Sequence, residues 1–234
     1  MTISKRLLTV AHAVTPGKRV ADIGTDHGYV PIYLVESGLC PHAIAMDVNP
    51  GPLERASAHI RDKGLEDRIS TRLSDGLEKL DHDEADTFIL SGMGGELICR
   101  ILKDRKDLLA DGPELVLQPQ SEWFKVRHIL HEMGYRIERE WFLRDEGKYY
   151  VVLKAVPGKQ RFSSEADYYY GSFVQEECCP VLEEYLLREE EKNKEILLRI
   201  RTNVREGRSL RSERIKELEE SVCRIRQRLE KLKG

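Results

Sequence analysis

Long apolar runs are missing from this sequence of 234 residues, and its cysteines follow no regular spacing. The first segment, MTISKRLLTVAHAV, is too short and too polar for a signal peptide or a membrane span. Five cysteines without C-x-x-C spacing argue against a disulfide framework and indicate a reducing compartment. We therefore expect a cytoplasmic protein with no membrane association.

A metal-ligand pattern is also lacking. His128 and His131 lie three residues apart on a predicted amphipathic helix, which is more typical of a helix surface than of a metal site. The adjacent Cys178 and Cys179 lack the spacing of zinc and redox sites and are interpreted as ordinary helix residues. The sequence therefore predicts no bound metal.

Charge is plentiful but unevenly distributed. Charged residues make up 34% of the chain, above the roughly 25% of an average globular protein. Residues 183–234 carry 15 Lys and Arg against 12 Asp and Glu, a net charge of +3, while the whole chain carries −3. An acidic body and a basic tail predict two parts, and the tail is the better contact for a polyanion. A solvated helical face would show the same pattern.

Strand and helix patterns alternate along the first 134 residues, after a helix that Ser4 is placed to cap. Five apolar runs predict strands, at residues 19–23, 43–46, 68–73, 87–90 and 114–117. Such alternation is typical of parallel strands with crossover helices, a doubly wound α/β sheet. Residues 135–143 and 149–156 flank Asp145-Glu146-Gly147 and predict an antiparallel hairpin that ends this Rossmann-like sheet.

The strand pattern stops after Pro157-Gly158, which predicts a sheet domain over residues 1–158 and a helical appendage over residues 159–234. Apolar residues near the end recur at spacings of three and four, a heptad seam formed by Ile215, Leu218, Val222, Ile225, Leu229 and Leu232. A break at residues 206–209 favours two antiparallel helices folded into a coiled coil within a monomer. A dimerising parallel coil is the alternative.

The stretch VADIGTDHGYVP, residues 20–31, lies where the first predicted strand ends. Gly24 and Gly28 allow the turn to open and a ligand to approach the backbone. The dinucleotide fingerprint G-x-G-x-x-G is absent, and carboxylates at Asp22 and Asp26 would repel a pyrophosphate. The same carboxylates attract a cationic ligand.

Acidic residues recur at the ends of the next two strands. Asp47, followed by Val48, lies about twenty residues after the glycine turn, where a carboxylate can accept hydrogen bonds from ribose hydroxyls. Asp75-Gly76 follows the third strand and could meet an adenine edge, although Asp75 alone would also suit a helix N-cap. The pattern predicts S-adenosylmethionine, a cationic nucleoside. Its candidate contacts are Asp22, Gly24, Thr25, His27, Gly28, Asp47, Val48, Asp75, Gly76 and Gly92.

Several segments together resemble a known family. They are VADIGTDHGYVPIYL, AIAMDVNPGPLERA, SDGLE, DTFILSGMGGELI, LVLQPQSE, GYRIERE and EGKYYVVL. With the helical tail, they make the chain similar to the bacterial tRNA adenine-N1 methyltransferases of the TrmK family, which act on adenine 22 in the tRNA core. The resemblance implies a seven-stranded class I methyltransferase domain, S-adenosylmethionine as cofactor, tRNA as partner and a coiled coil that helps to hold the tRNA.

Candidate catalytic residues follow from this resemblance. Asp26 and His27 are expected to project from the glycine turn towards the substrate, although a packed, hydrogen-bonded His27 is an equal alternative. Ser91, Gly92 and Met93 end the fourth strand, beside the transferred methyl group in this fold. Because adenine N1 carries an in-plane lone pair, the reaction needs the base to be aligned with the methyl group and water to be excluded, rather than a strong general base. Asp26 would then stabilise the cationic product.

Candidate substrate contacts come from three places. Tyr29 could stack on the base, although a core tyrosine is equally consistent, while Gly94 admits a flat ring and Gln118 covers the pocket. Arginines suit phosphates through bidentate hydrogen bonds, and the predicted hairpin tip carries Arg205, Arg208, Arg211 and Arg214. Two other functions stay open: a small-molecule methyltransferase with a dimerising coil and a non-catalytic module that binds S-adenosylmethionine. An NAD-dependent oxidoreductase is disfavoured by the missing fingerprint.

Overall fold

A computed structural model describes residues 3–202 and 208–233. Its elements in chain order are α1 (Lys5–Ala13), β1 (Val20–Ile23), α2 (Tyr29–Glu36), β2 (Ala43–Asp47), α3 (Pro50–Asp62), β3 (Ile69–Leu73), β4 (Thr87–Met93), α4 (Gly95–Asp104), α5 (Lys106–Ala110), β5 (Glu114–Pro119), α6 (Trp123–Glu132), β6 (Tyr135–Asp145), β7 (Lys148–Pro157), α7 (Glu165–Tyr170), a 3₁₀ turn (Glu176–Cys178), α8 (Cys179–Thr202) and α9 (Arg208–Lys233). All seven predicted strands are present. No helix within the described residues is long and apolar enough to cross a membrane.

The seven strands form one sheet in the order β3-β2-β1-β4-β5-β7-β6. β1 to β5 are parallel, and β7 runs antiparallel between β5 and β6. The hairpin turns through Glu146 and Gly147, whose φ angles of +46° and +77° suit a tight two-residue connection. The strand order reverses between β1 and β4: β2 and β3 lie on one side of β1, whereas β4 and β5 lie on the other. Ligands bind at this point in this class of fold. The predicted fold class is confirmed.

Alternating strand residues divide the core into two layers. Ala21, Leu90 and Leu117 face α4, α5 and α6, whereas Val20 and Ile89 face α1, α2 and α3. Since successive side chains of a strand point to opposite faces, buried residues on both faces require helices on both sides. This three-layer packing holds the carboxyl ends of β1 and β4 side by side, with Ile23 opposite Leu90.

The helical tail folds back on itself, as the heptad seam predicts. The Asn193 side-chain amide donates to the Ser221 hydroxyl at 3.0 Å, and Arg226 pairs with Glu190 at 2.8 Å, which fixes α8 and α9 as antiparallel neighbours. Near the other end of the tail, apolar residues join the same core as the sheet; they are Leu182, Leu186, Ile225 and Leu229. This end of the α8–α9 helix pair therefore packs against the sheet. The domain boundary at residue 158 stays a prediction.

A buried ion pair joins the tail to the sheet. Arg127 of α6 and Glu140 of β6 are both fully buried and lie 2.8 Å apart. Glu140 also accepts hydrogen bonds from the backbone of Ser172 and Phe173, and Arg127 donates to the carbonyl of Tyr168. Because both charges are fully desolvated, each depends on these partners. The pair therefore fixes the chain that leads into α8.

We expect Arg127→Ala to lower the free energy of unfolding by about 3–5 kcal/mol, because it leaves the Glu140 carboxylate buried without its counter-charge. Chemical denaturation at pH 7 would measure the loss. Lys63→Ala is the control, since Lys63 forms a more exposed pair with Glu36 at 2.8 Å, and such pairs contribute less than about 1 kcal/mol. Equal stability of the two variants would contradict the anchoring role.

Candidate cofactor and active site

The turn after β1 is held by two backbone hydrogen bonds and by a close side-chain approach. The amides of Gly24 and Thr25 donate to the carbonyl of Met46 at 2.8 and 2.9 Å, which ties the turn to β2. Gly24 has φ +74°, and a Cβ at this position would lie 3.0 Å from the terminal methyl of Met93. A side chain at Gly24 would therefore be strained and would press on the end of β4.

Asp22 is a buried carboxylate with 3% of its surface exposed. Its Oδ2 accepts a hydrogen bond from the Thr25 hydroxyl at 2.7 Å. Burial raises the pKa of Asp22 to about 6, the Thr25 hydrogen bond lowers it, and the negative charge of Asp47 raises it. An anion held here near neutral pH gains from the arrival of a cation.

Asp26 lies at the apex of the turn in a left-handed conformation, with φ +50°. Its carboxylate is 67% exposed and lies 3.5 Å from His27 Nε2 and 3.7 Å from Arg55 Nη2. The rings of His27, Tyr29 and His59 form a cluster of nearly parallel planes, in which His27 lies 5.3 Å from Tyr29 and 5.9 Å from His59 and the last two lie 5.8 Å apart. His27 is thus a packed histidine beside an exposed carboxylate, while Tyr29 contributes to the pocket wall.

The end of β4 is supported from behind by one amide side chain. Gln118 is fully buried, and its Oε1 accepts hydrogen bonds from the Gly92 backbone at 3.1 Å and the Ser91 hydroxyl at 3.3 Å. The same oxygen accepts from Arg6 Nη1 at 2.7 Å. Gln118 therefore orients the β4 turn, and it is Gln120 that lines the pocket.

The space beside Gly94 and Gly95, the two glycines after Met93, is occupied by other protein atoms. A Cβ on Gly95 would lie 2.5 Å from the carbonyl oxygen of Ser121, and one on Gly94 would lie 3.4 Å from its hydroxyl. The Gln120 amide donates to the carbonyl of Met93 at 2.9 Å. The loop before α6 is therefore pressed against the β4 turn, and Gln120 is placed beside it.

One pocket brings together most of the predicted residues of the first and fourth strands. It is lined by Asp22, Gly24, Thr25, Asp26, Tyr29, Ser91 and Gly92, together with Arg6, Leu7, Val30 and Gln120. Two carboxylates and one guanidinium group therefore face a common space. A grouping of three or more residues able to hold a metal ion does not occur in the described part of the chain.

Two further predicted cofactor residues, His27 and Gly28, lie in the turn after β1, and the other four lie at the ends of β2 and β3, all outside the lining of that pocket. Asp47 is mostly buried, and its Oδ1 accepts from the Asn49 amide at 2.8 Å, while Val48 beside it is 56% exposed. Asp75 pairs with Arg100 at 3.1 Å on the surface. In the turn that follows, the Lys79 backbone amide donates a hydrogen bond to the Ser74 hydroxyl rather than to the Asp75 carboxylate. Gly76 has φ +57°, and a Cβ there would lie 2.9 Å from Ile101, so backbone conformation and packing both favour glycine at this position.

Comparison with known proteins places this geometry in a family. A family model described as a methyltransferase domain matches residues 3–153. The Bacillus subtilis tRNA (adenine(22)-N(1))-methyltransferase is 40% identical over 158 residues, which cover 68% of this chain and 66% of that protein. The crystal structure of the B. subtilis m1A22 tRNA methyltransferase TrmK has a TM-score of 0.85 at 31% identity and covers 97% of this chain and 98% of its own. The chain belongs to the TrmK family.

The structural match to TrmK includes the helical tail, whereas the alignment with the curated B. subtilis relative spans about two thirds of either protein. A Streptococcus pneumoniae protein solved in complex with S-adenosyl-L-methionine has a TM-score of 0.81 at 33% identity and covers 94% of this chain and 100% of its own. The resemblance seen in the sequence is confirmed. The roles of individual residues stay predictions.

Arg6 is the one charged lining residue that sequence reasoning missed. It belongs to α1, 112 residues from Gln118, and its guanidinium group lies over the ring of Tyr150 at 5.5 Å. The Arg6 amide donates to Asp145 at 3.0 Å, which fixes the start of α1 against the hairpin turn. In the sequence, Arg6 is one polar position of an amphipathic helix, and only the fold brings it to the pocket.

The predicted phosphate contacts of the tail are described only in part. Arg214 is exposed and pairs with Glu217 at 2.8 Å. Arg205 lies outside the described residues, and Arg208 and Arg211 belong to α9 but their side chains lie outside them. Arg199, near the end of α8, is 78% exposed.

We expect Asp22→Asn to stabilise the protein at pH 8 by about 2–3 kcal/mol while weakening S-adenosylmethionine binding at least about tenfold. The folded carboxyl binds its proton below about pH 6 and the unfolded one only below about pH 4, so ionisation disfavours the folded state as the pH rises through this window. Denaturation at pH 8 and pH 4.5 would show the gain at pH 8 and its loss at pH 4.5.

Asp26→Asn is the matched control, because the exposed Asp26 carboxylate has little desolvation to lose and its stability change should stay below about 0.5 kcal/mol. A pH-independent stability of Asp22→Asn relative to the native chain would show that the Asp22 charge is not held at a cost.

Proposed function

We propose that this chain transfers the methyl group of S-adenosylmethionine to N1 of adenine 22 in tRNA. The observation that carries the proposal is the pocket at the ends of β1 and β4, where carboxylates and a guanidinium group meet in a member of the TrmK family. We place the reaction in the cytoplasm, and the five cysteines, all free thiols, are consistent with a reducing compartment.

The residues present fit this cofactor. The ammonium and sulfonium groups of S-adenosylmethionine carry positive charge, which the Asp22 and Asp26 carboxylates attract. The carboxylate of its methionine end matches the Arg6 guanidinium, a bidentate donor in the same pocket. Gly24 lines the same pocket, so this group can approach the backbone of the turn.

The nucleoside end would lie along the neighbouring strand ends. Asp47 Oδ1 is occupied by the Asn49 amide, and its second oxygen is available to accept from a ribose hydroxyl. Val48 offers an exposed apolar surface to the adenine ring. Thr25 and Gly28 complete the turn between these two halves of the site.

When bound, S-adenosylmethionine supplies an electrophilic methyl group. The chain's own task is to orient the target base, whose N1 lone pair attacks without prior deprotonation. Ser91 and the Gly92 backbone, both held by Gln118, are positioned to meet the edge of the base. The methylated ring is cationic until its exocyclic amino group loses a proton, and the Asp26 carboxylate stabilises that charge.

The pairing of α8 with α9 within one chain supports a monomer rather than a dimer formed through a parallel coil. A small-molecule methyltransferase with a dimerising arm would need this seam for a second chain. Light scattering tests the point, since a dimer that forms through the tail would favour that alternative.

The decisive experiment incubates the protein with labelled S-adenosylmethionine and unmodified tRNA, followed by nucleoside analysis. We expect 1-methyladenosine in wild-type tRNA and none in tRNA that carries guanosine at position 22. Label at another nucleoside, or no label in RNA despite cofactor binding, would refute the proposed function; the second result would favour a non-catalytic binding module.

We expect Asp26→Ala to lower kcat about 10- to 100-fold at saturating cofactor, because it removes the carboxylate nearest the cationic product. Asp47→Ala should mainly raise the KM for the cofactor, since Asp47 lies on the nucleoside side. Steady-state kinetics with both substrates varied would separate the two. An Asp26 variant with full turnover would remove Asp26 from the mechanism.

We expect Arg199→Ala with Arg214→Ala to weaken tRNA binding about 3- to 10-fold near 0.1 M salt and to reduce the salt slope by about one to two. Both side chains are exposed cations near the far end of the hairpin. Lys63→Ala, at the end of α3, is the control. Deleting residues 181–234 would be a poorer test, because Leu182 and Ile225 belong to the sheet's core. An unchanged slope would argue against a phosphate contact.

A further inference from the structure

A groove lined by aromatic rings lies beside the cofactor pocket, between the first turn of α6 and the helical tail. Its walls include Trp123, Phe124, Tyr169 and Tyr185, with Ser221 of α9 at one side and Gln120 at the other. The groove encloses about 450 Å³, within the range of roughly 300–1,000 Å³ typical of small-molecule sites. None of the sequence motifs or catalytic roles described above accounts for these rings.

Two of the rings form an ordered stack that ends beside a lysine side chain. Phe124 stacks on Tyr169 with centroids 4.6 Å apart and planes 6° from parallel. The Arg224 guanidinium carbon lies 4.3 Å from the Tyr169 centroid. Because each face of a ring accommodates one such neighbour, Tyr169 is covered on both sides. The aromatic stack therefore ends at Phe124, which is partly exposed and is not among the residues of the sheet's core. The Lys125 ammonium lies 6.0 Å from the Phe124 centroid and also pairs with Glu96, so it is the group that a base stacking on Phe124 would displace.

The wall of the groove formed by Trp123 and Tyr185 is held in place by contacts within the protein. The Trp123 indole nitrogen donates to the Pro119 carbonyl at 3.2 Å, and its ring contacts Phe142 edge-on at 5.7 Å. Tyr185 packs against both Trp123 and Phe142. A ring that enters the groove would therefore meet one wall, formed by Trp123 and Tyr185, that loses little freedom on binding.

The charges around the groove favour a base over a phosphate. Two carboxylates line it: Glu189, which pairs with Lys192 at 3.3 Å, and Glu122, which accepts from the Ser121 hydroxyl. Carboxylates repel phosphate but accept hydrogen bonds from the exocyclic amino groups of bases. Aromatic faces stack on any base.

Gln120 connects this groove to the cofactor pocket, since its side chain lines both. Its backbone amide is tied to Met93 at 2.9 Å. An adenine presented to Ser91 and Gly92 would therefore have its neighbour in the RNA within reach of the groove. Turning the target out of a folded RNA also unstacks its neighbours, which then need new partners.

We propose that this aromatic groove holds the base next to the methylated adenine, stacked on Phe124. The inference rests on the proposed function, because it takes an RNA as the substrate. It assigns the groove to substrate positioning: the stacked neighbour fixes the strand on one side of Gln120 while the target adenine enters the pocket on the other.

The kinetic test compares Phe124→Ala with Phe124→Trp, which restores a stacking surface, and with Phe173→Ala, an exposed aromatic outside the groove. Phe124→Ala should raise the KM for tRNA about tenfold, equivalent to 1.4 kcal/mol and within the range for base stacking. Phe124→Trp and Phe173→Ala should stay within about twofold of wild type. Cofactor affinity by calorimetry should be unchanged in all three. Phe124→Ala, which loses the stack on Tyr169, should lower the melting temperature by only about 2–4 °C.

A binding test keeps the inference independent of turnover. tRNA carrying 2-aminopurine at position 21 or 23 should show quenched fluorescence at one of them with the native chain and with Phe124→Trp, but not with Phe124→Ala. An unchanged KM together with unchanged fluorescence in Phe124→Ala overturns the groove. A tenfold rise in the KM for tRNA that is accompanied by an equal loss of cofactor affinity in Phe124→Ala also overturns it. Absence of 1-methyladenosine with the native chain instead refutes the proposed function, whatever Phe124→Ala does.

Discussion

Burial of the Asp22 carboxylate near the end of β1 is the constraint on which the site depends. Within residues 3–202 and 208–233 it forms no ion pair, and its one side-chain partner is the Thr25 hydroxyl. Burial is the main reason that the pKa of Asp22 rises to about 6; the Thr25 hydrogen bond lowers it and the negative charge of Asp47 adds to the rise. A cation in the pocket removes that penalty, so the cost of folding an anion into the sheet becomes selectivity for a positively charged ligand.

The Gln118 side chain connects the end of β4 in the pocket to the rest of the sheet. Its amide oxygen joins the end of β4 to Arg6 of α1, while Arg6 itself is set by Asp145 at the hairpin turn. Moving the hairpin would therefore displace α1 and, with it, the guanidinium group of the pocket. The antiparallel hairpin that ends the sheet thus shapes the site without contributing a lining residue.

The strands and the folded-back tail follow from local patterns, since apolar alternation and heptad spacing report burial directly. Asp22, Gly24, Asp26, Ser91 and Gly92 meet in one pocket because parallel strands end at one edge of the sheet. Contacts between distant segments leave no such pattern. The roles of Gln118 and Gln120 differ because of where each side chain points at the strand end, which the letters LQPQ do not reveal. Likewise, Gly76 and Gly95 are glycines because of Ile101 and Ser121.

The contact between Gly95 and Ser121 also determines how the pocket and the aromatic groove are related. Ser121 presses on the β4 turn, and Glu122 then enters α6 from a left-handed conformation with φ +46°. That turn of the chain places Trp123 and Phe124 on the far side of Gln120. Any side chain at Gly95 would shift the loop, and both surfaces would change together. Backbone packing therefore fixes the distance between the pocket and Phe124, so an RNA bound as proposed would have to rearrange, rather than the protein, to place one base at each.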